Sequence, residues 1–258
     1  MGIAGRGAFG YSLRMSSPTS DAVPPDAREF HTTHWSMVLR AGGRSAGAQA
    51  ALSSLCAAYW YPLYAFVRRQ GRTAHDAQDL TQEFFARLLE RGGVEGVARE
   101  RGRFRTWLLA AMEHFLINEW RRAGAQKRGG GVAVVSMDDE AEARYLREPA
   151  DPMTAEKLYD RRWALTLLDR VLARLGGELA EAGKAAQFEA LKFCLSGEKR
   201  AYAEVAVALG MTESAVKVAA HRLRERYRAL IRAEIAETVG NSEEVDAEMR
   251  DLFAALSD

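Results

Sequence analysis

The sequence predicts an all-α protein made of two small helical domains joined by a flexible linker. Three observations lead there. Apolar residues recur three and four positions apart in segment after segment, the period of a helix with one buried face. No window alternates apolar and polar residues as a half-buried strand would. Residues 136–152 are acidic, turn-rich and carry Pro149 and Pro152, a composition that separates two periodic halves. The 258 residues are 48% apolar, enough for ordinary cores, and a net charge of +1 identifies no partner, so any nucleic-acid signal must lie in how charge is distributed.

Residues 1–29, rich in Gly, Ser, Pro and Asp, are expected to be disordered. The first fourteen contain Arg6 and Arg14 but no apolar core of a signal peptide, and their Gly-rich composition favours Met15 over Met1 as the translation start. No run approaches the ~18 apolar residues of a membrane span. Cys56 and Cys194 lie far apart within apolar helical patterns and read as small core residues of a reducing cytoplasm. His31 and His34 have metal-ligand spacing but no third ligand nearby, which favours polar residues at a helix start.

The first folded domain is expected over residues 30–125. Leu52, Leu55, Cys56 and Tyr59 share one stripe. Pro62 suits the first turn of a following helix that carries Leu63, Phe66 and Val67 and ends at Gly71. Thr73 with Asp76 three residues on resembles a capping box and starts a helix to about Glu90. Its core stripe is Ala77, Leu80, Phe84 and Leu88, with an acidic ridge of Asp76, Asp79 and Glu83 beside it. Between residues 99 and 128 there are eight Arg or Lys against three Glu, interleaved with Phe104, Trp107, Phe115 and Trp120. Basic groups track phosphates and aromatic rings offer stacking platforms, the chemistry of single-strand binding. At least two of those four rings are expected in the core, because Phe104, Leu108, Ala111 and Phe115 share a stripe. Lys127-Arg128-Gly129-Gly130-Gly131 opens the linker (126–153) as a flexible basic loop, without the context of a P-loop.

A second domain is expected over 154–239. A helix from Thr154 to Leu175, with Trp163, Leu167 or Leu168, Val171 and Leu175 inward, ends at Gly176-Gly177, and another runs from Lys184 to Leu195. Tyr202 to Arg228 reads as a helix-turn-helix: an apolar helix stops at Gly210, and Thr212 caps a second helix with Glu213 at its positive end. Val216, Ala220, Leu223 and Tyr227 form the packing stripe, opposite Ser214, Lys217, Val218, His221 and Arg228 with Arg222 and Arg224 alongside. One buried face and one basic face suit a helix that enters the major groove. Val218 lies about 20° from the centre of the polar face on an ideal wheel, where it could meet a thymine methyl group. The tail, 240–258, carries Val245, Met249, Leu252 and Leu256 as a stripe expected to dock on its own domain.

These motifs, in this order, resemble bacterial RNA polymerase sigma factors of the σ70 family, in the compact extracytoplasmic-function (ECF) group. Asp76–Leu89 looks like region 2.2, Gly102–Arg122 like regions 2.3 and 2.4, and Tyr202–Arg228 like region 4.2. The His-Thr-Thr-His-Trp-Ser-Met-Val opening, Lys-Arg-Gly-Gly-Gly and the tail are similar to an ECF-like subgroup common in planctomycetes. The resemblance implies a sigma region 2-like domain, a region 4-like domain, and no catalysis or cofactor. It implies that Asp76, Asp79, Leu80, Gln82, Glu83 and Phe84 dock on the β′ clamp helices of core RNA polymerase, while the region 4-like domain rests on the β flap. It implies that Arg103, Phe104, Arg105, Trp107, His114, Asn118, Arg121 and Arg122 open and hold the −10 element as single-stranded DNA. Glu213, Ser214, Lys217, Val218, His221, Arg222, Arg224 and Arg228 would read the double-stranded −35 element. An anti-sigma factor is a further partner the resemblance allows. His114 stands where many members carry Asn, Asn118 where many carry Asp, and Val218-Ala219 where many carry Ser-Arg, so promoter preference does not transfer. The alternatives are a stand-alone helix-turn-helix regulator, which leaves residues 76–122 without a purpose, and an enzyme, for which no nucleophile–base set or metal cluster is evident.

Overall fold

The computed structural model describes residues 45–90, 103–126, 139–147, 153–198, 200–239, 241 and 243–257, and every regular element among them is a helix. The expectations for residues 1–29, for His31 and His34, and for Lys127 and Arg128 lie outside these residues. The helices are α1 (Ala46–Arg69), α2 (Ala74–Glu90), α3 (Phe104–Gln126), α4 (Asp139–Tyr145), α5 (Ala155–Glu181), α6 (Ala185–Leu191), α7 (Phe193–Ser196), α8 (Tyr202–Leu209), α9 (Glu213–Ala236) and α10 (Glu243–Ser257). They group into two compact units, one within 29–167 and 234–258, the other over 168–233.

The first unit is organised around α1. Ser45 caps it, its side chain accepting the Ala48 N–H at 3.1 Å. The expected break at Pro62 does not occur, and one helix runs through it. Pro62 forgoes one backbone bond, but Tyr61, Pro62, Leu63, Tyr64, Ala65, Phe66 and Val67 are all buried, and that burial outweighs the loss. By length and composition α1 could cross a membrane, yet two thirds of its most apolar stretch is buried inside the protein, the signature of a core helix. It packs against α2 and α4, and Tyr59 meets Phe104 of α3 edge-on at 5.0 Å. Burial pushes the Cys56 thiol up to about 12, so it behaves as an inert core residue.

Two segments expected to be peripheral are built into this unit. Inside the expected linker, α4 docks on α1: Glu142 accepts from Arg68 Nη2 at 2.8 Å, Arg68 Nε at 2.9 Å and the Tyr64 hydroxyl at 2.6 Å. The tail helix α10, expected on the helix-turn-helix domain, instead packs on α3. Its approach is prepared by backbone pairing, since Phe104 N–H donates to the Thr238 carbonyl at 2.9 Å and Arg103 bridges Val239. That bond satisfies a donor which the start of a helix otherwise leaves unpaired.

In the second unit, the later turns of α5 carry α6 to α9. The expected stop at Gly176-Gly177 is absent, and α5 continues to Glu181. Gly176 is required by packing: a Cβ there would lie 2.9 Å from Phe188 Cε1 of α6, whereas one on Gly177 would meet nothing within 4 Å.

Candidate nucleic-acid interfaces

The turn of the helix-turn-helix forms by the predicted chemistry. Gly210 adopts φ +63°, its N–H reaches the Val207 carbonyl, and Met211 N–H closes on the Ala206 carbonyl at 2.9 Å, the two bonds of a Schellman motif. Thr212 then caps α9, its hydroxyl accepting the Ala215 N–H at 3.2 Å. Val216, Ala220, Leu223 and Tyr227 are buried as the spacing predicts. Glu213, Ser214, Lys217, Val218, His221, Arg222 and Arg228 are exposed together on the other face. Lys217 pairs with Glu213 at 2.7 Å and Arg228 with Glu225 at 2.7 Å, surface pairs weak enough to exchange for phosphate.

Arg224 is placed differently. Its Nη2 donates to the Tyr202 hydroxyl at 2.8 Å and its Nε to the Cys194 carbonyl at 3.4 Å. It therefore holds α9 against α8 and α7 rather than facing outward. Val218 is 48% exposed and also lines an apolar groove of about 710 Å³ with Leu179, Leu191 and Met211. A groove-lining role was not visible from the helical wheel.

Along α3 the expected strand-binding set divides in two. Phe104 is fully buried, and Trp107, 8% exposed, packs against it at 5.7 Å. Neither ring can stack on a base, because both fill the core. Arg105 is also buried, with its guanidinium donors engaged by carboxylates: Nε to Glu248 at 3.0 Å, Nη2 to Glu248 at 3.1 Å and to Asp251 at 3.2 Å, and Nη1 to Asp160. The guanidinium lies 4.3 Å from the Trp163 ring centroid, and the Tyr159 hydroxyl donates to the Arg105 carbonyl at 3.1 Å. Burial opposes the charge on Arg105, but the bond and field of Glu248, with help from Asp160, hold its pKa above the usual arginine value. Burial raises the Asp160 pKa, and Arg105 offsets this only partly because Glu248 and Asp251 add negative charge. Arg103 is half-buried and contacts Glu248 at 3.1 Å and Asp251.

The other half of the set is open. His114, Asn118, Arg121 and Arg122 are exposed, with Arg122 in a surface pair with Glu119 at 2.6 Å. The same turns expose two residues outside the expected set, Ile117 at 46% and Trp120 at 67% exposure. Arg72, from the turn after α1, lies 5.2 Å from the centroid of the Trp120 ring, which makes an exposed aromatic–cation platform. Phe115 takes a middle position, half-buried against Phe84 at 5.6 Å with Arg87 on its ring. Trp120 was visible in the sequence as one of four interleaved aromatics. Arg72 had no local signal, because its partner lies on another helix.

On α2, Thr73 caps the helix by accepting the Asp76 N–H at 3.1 Å. Asp76, Gln82 and Glu83 are exposed, and Asp79 and Leu80 are half-exposed. Phe84 keeps the core-stripe place that its spacing predicts, 5% exposed and packed on Phe85 and Phe115, and so departs from the docking role that the resemblance implies. Its place in the core stripe excludes direct contact with a partner. Glu83 is bridged by Arg87, which also reaches Glu119 of α3 at 2.7 Å and ties the ridge to the open face. Among the described residues no cluster of His, Cys, Asp or Glu could hold a metal ion.

Residues 57–126 match the family model for sigma-70 region 2. The match runs from the middle of α1 through α2 to the end of α3, and so takes in both the acidic ridge and the divided α3 face. The likeness is to region 2 alone and covers well under half of the chain. No curated protein and no solved structure matches the chain.

Proposed function

We propose that this chain is an ECF-group sigma factor, of the planctomycete-type subgroup, that binds core RNA polymerase in the cytoplasm and directs initiation at promoters with −10 and −35 elements. The observation that carries this reading is the coincidence of the region 2 match with an exposed acidic ridge on α2 and an exposed aromatic–basic face on α3. In this reading Asp76, Asp79, Gln82 and Glu83, with the half-exposed Leu80, form the contact with the β′ clamp helices. Acidic side chains held on a rigid helix give orientation and on-rate to such a contact.

Strand opening is assigned to the later turns of α3. His114, Asn118, Arg121 and Arg122 would follow the backbone and bases of the non-template strand while Trp120, braced by Arg72, offers a ring for stacking. The second unit is the region 4-like domain. Ser214, Lys217, Val218, His221, Arg222 and Arg228 of α9 would face the −35 major groove, with the unit resting on the β flap. The protein performs no chemistry in this reading: it positions the polymerase and contributes binding energy to opening. An anti-sigma factor is the further partner proposed.

Run-off transcription with core polymerase on genomic fragments, with and without the chain, tests the reading. Specific transcripts that require the chain are expected, together with co-elution of chain and core enzyme. A chain that binds duplex DNA but neither co-elutes with core polymerase nor yields transcripts would instead be a stand-alone helix-turn-helix regulator.

A further inference from the structure

The contact between α10 and the start of α3 has an unusual make-up. Of the fifteen residues of α10, Val245, Glu248 and Leu252 are its buried positions, so the centre of the contact is a carboxylate that is 0% exposed. Glu248 meets both Arg105 and Arg103, and Asp251 meets the same two arginines. The helix carries five acidic residues, Glu243, Glu244, Asp246, Glu248 and Asp251, against Arg250. A contact centred on buried ion pairs gains little net stability over an apolar one, because desolvation of the charges offsets their attraction. A guanidinium held by a carboxylate fork presents the same donors to a phosphate. The seat is therefore one that a nucleic-acid backbone could take over at small cost, while α10 in place adds negative charge at the start of α3.

We propose that α10 is an internal competitor for nucleic acid: Glu248 and Asp251 occupy Arg103 and Arg105, and the helix leaves when a DNA strand binds along α3. This rests on the reading of the α3 face as a strand-binding surface. In the docked state the described residues of α3 left open to a strand are His114, Asn118, Trp120, Arg121 and Arg122. In the released state Arg103 and Arg105 extend the phosphate track toward the start of the helix.

The experiment uses the full chain and a fluorescein-labelled 20-nucleotide single-stranded DNA of mixed sequence, read by anisotropy across a salt series. Glu248→Gln with Asp251→Asn is expected to tighten binding by about 5- to 150-fold, the usual range for two coupled equilibria. Its log–log salt dependence should change by less than about 0.7, one phosphate contact, because both complexes end with Arg103 and Arg105 on the strand. Arg103→Ala is expected to be nearly silent in the otherwise native chain and to remove part of that gain in the doubly substituted one, a coupling that mere loss of packing would not produce. Hydrogen exchange on the unsubstituted chain gives a second measure that needs no substitution: amides of residues 243–257 should exchange faster when the oligonucleotide saturates the protein. Unchanged or weaker binding by the folded double variant overturns the proposal, as does unaltered protection of α10 at saturation. Arg121→Ala with Arg122→Ala distinguishes the two levels. If that pair weakens binding while the α10 variant does not strengthen it, the competitor fails and the strand-binding face stands. If neither changes binding, the face itself is wrong and the competitor goes with it.

Discussion

Replacing Trp120 with alanine separates a stacking platform from a core residue, and the structure sets the size of both effects. Trp120 is 67% exposed, and the Arg72 guanidinium lies 5.2 Å from its ring centroid. Losing an exposed cation–π contact costs about 0.5–1 kcal/mol, so the fold should be little affected. Losing a ring on which a base stacks costs about 1–3 kcal/mol of strand affinity, or about 5- to 150-fold in Kd. Phe104→Ala reverses the pattern. That ring is fully buried against Tyr59 and Trp107, and truncation should cost about 3–5 kcal/mol of stability. Thermal unfolding by circular dichroism, paired with anisotropy on a labelled single-stranded oligonucleotide, reads both quantities for both variants. The assignment of strand binding to the open half of α3 is refuted if Trp120→Ala leaves affinity within twofold, or if Phe104→Ala lowers affinity while the fold stays intact.

Further outcomes follow from other parts of the molecule. Gly177→Ala should stabilise the second unit by up to about 1 kcal/mol through helix propensity, whereas Gly176→Ala should forfeit that gain to about 1–3 kcal/mol of overpacking on Phe188. Hydrogen exchange of peptides from 168–233 compares the two, and equal effects would mean that α5 does not continue through the glycine pair. The Arg68 bond first, then that of Tyr64, hold the Glu142 carboxyl below its ordinary range despite partial burial. The folded pKa is depressed, so the docking of α4 contributes stability above the unfolded value and loses it as pH falls below about 4. Near-ultraviolet circular dichroism during acid titration should show this loss, and Glu142→Gln should flatten it. Asp76→Lys with Glu83→Lys should reduce co-elution with core polymerase without lowering the melting temperature; unchanged co-elution would make the ridge an ordinary solvated face. Val218→Ser should lose discrimination between −35 duplexes carrying thymine and those carrying uracil; equal weakening of both proteins by uracil would assign Val218 to its groove alone.

What could be read from the chain alone was whatever depends on neighbours a few residues away. The all-helical class, the cap at Thr73, the left-handed stop at Gly210, the cap at Thr212 and the buried stripe of α9 all follow from spacing and local hydrogen bonding, and the structure agrees at each. The acidic ridge of α2 was legible for the same reason, as was the inward place of Phe84 in the core stripe, whereas Leu80 of that stripe is half-exposed. Local rules failed where a distant segment supplied the deciding contact. Pro62 and Gly176 look like helix boundaries, but packing on both sides of α1 and the Phe188 ring against α5 outweigh those signals.

The division of α3 is the clearest case. Arg103 and Arg105 read as phosphate contacts because the stretch around them carries more Arg and Lys than Glu. Their partners lie 148 and 143 residues away on α10, with Asp160 55 residues from Arg105. A helical period reports which face is apolar, but not which element will cover it or satisfy a charge on it. Sequence by itself therefore determined that a basic, aromatic helix exists here and what chemistry it offers. Tertiary structure alone decided which half of it faces solvent, because only the closed chain brings Glu248 and Asp251 to one end and Arg72 to the other.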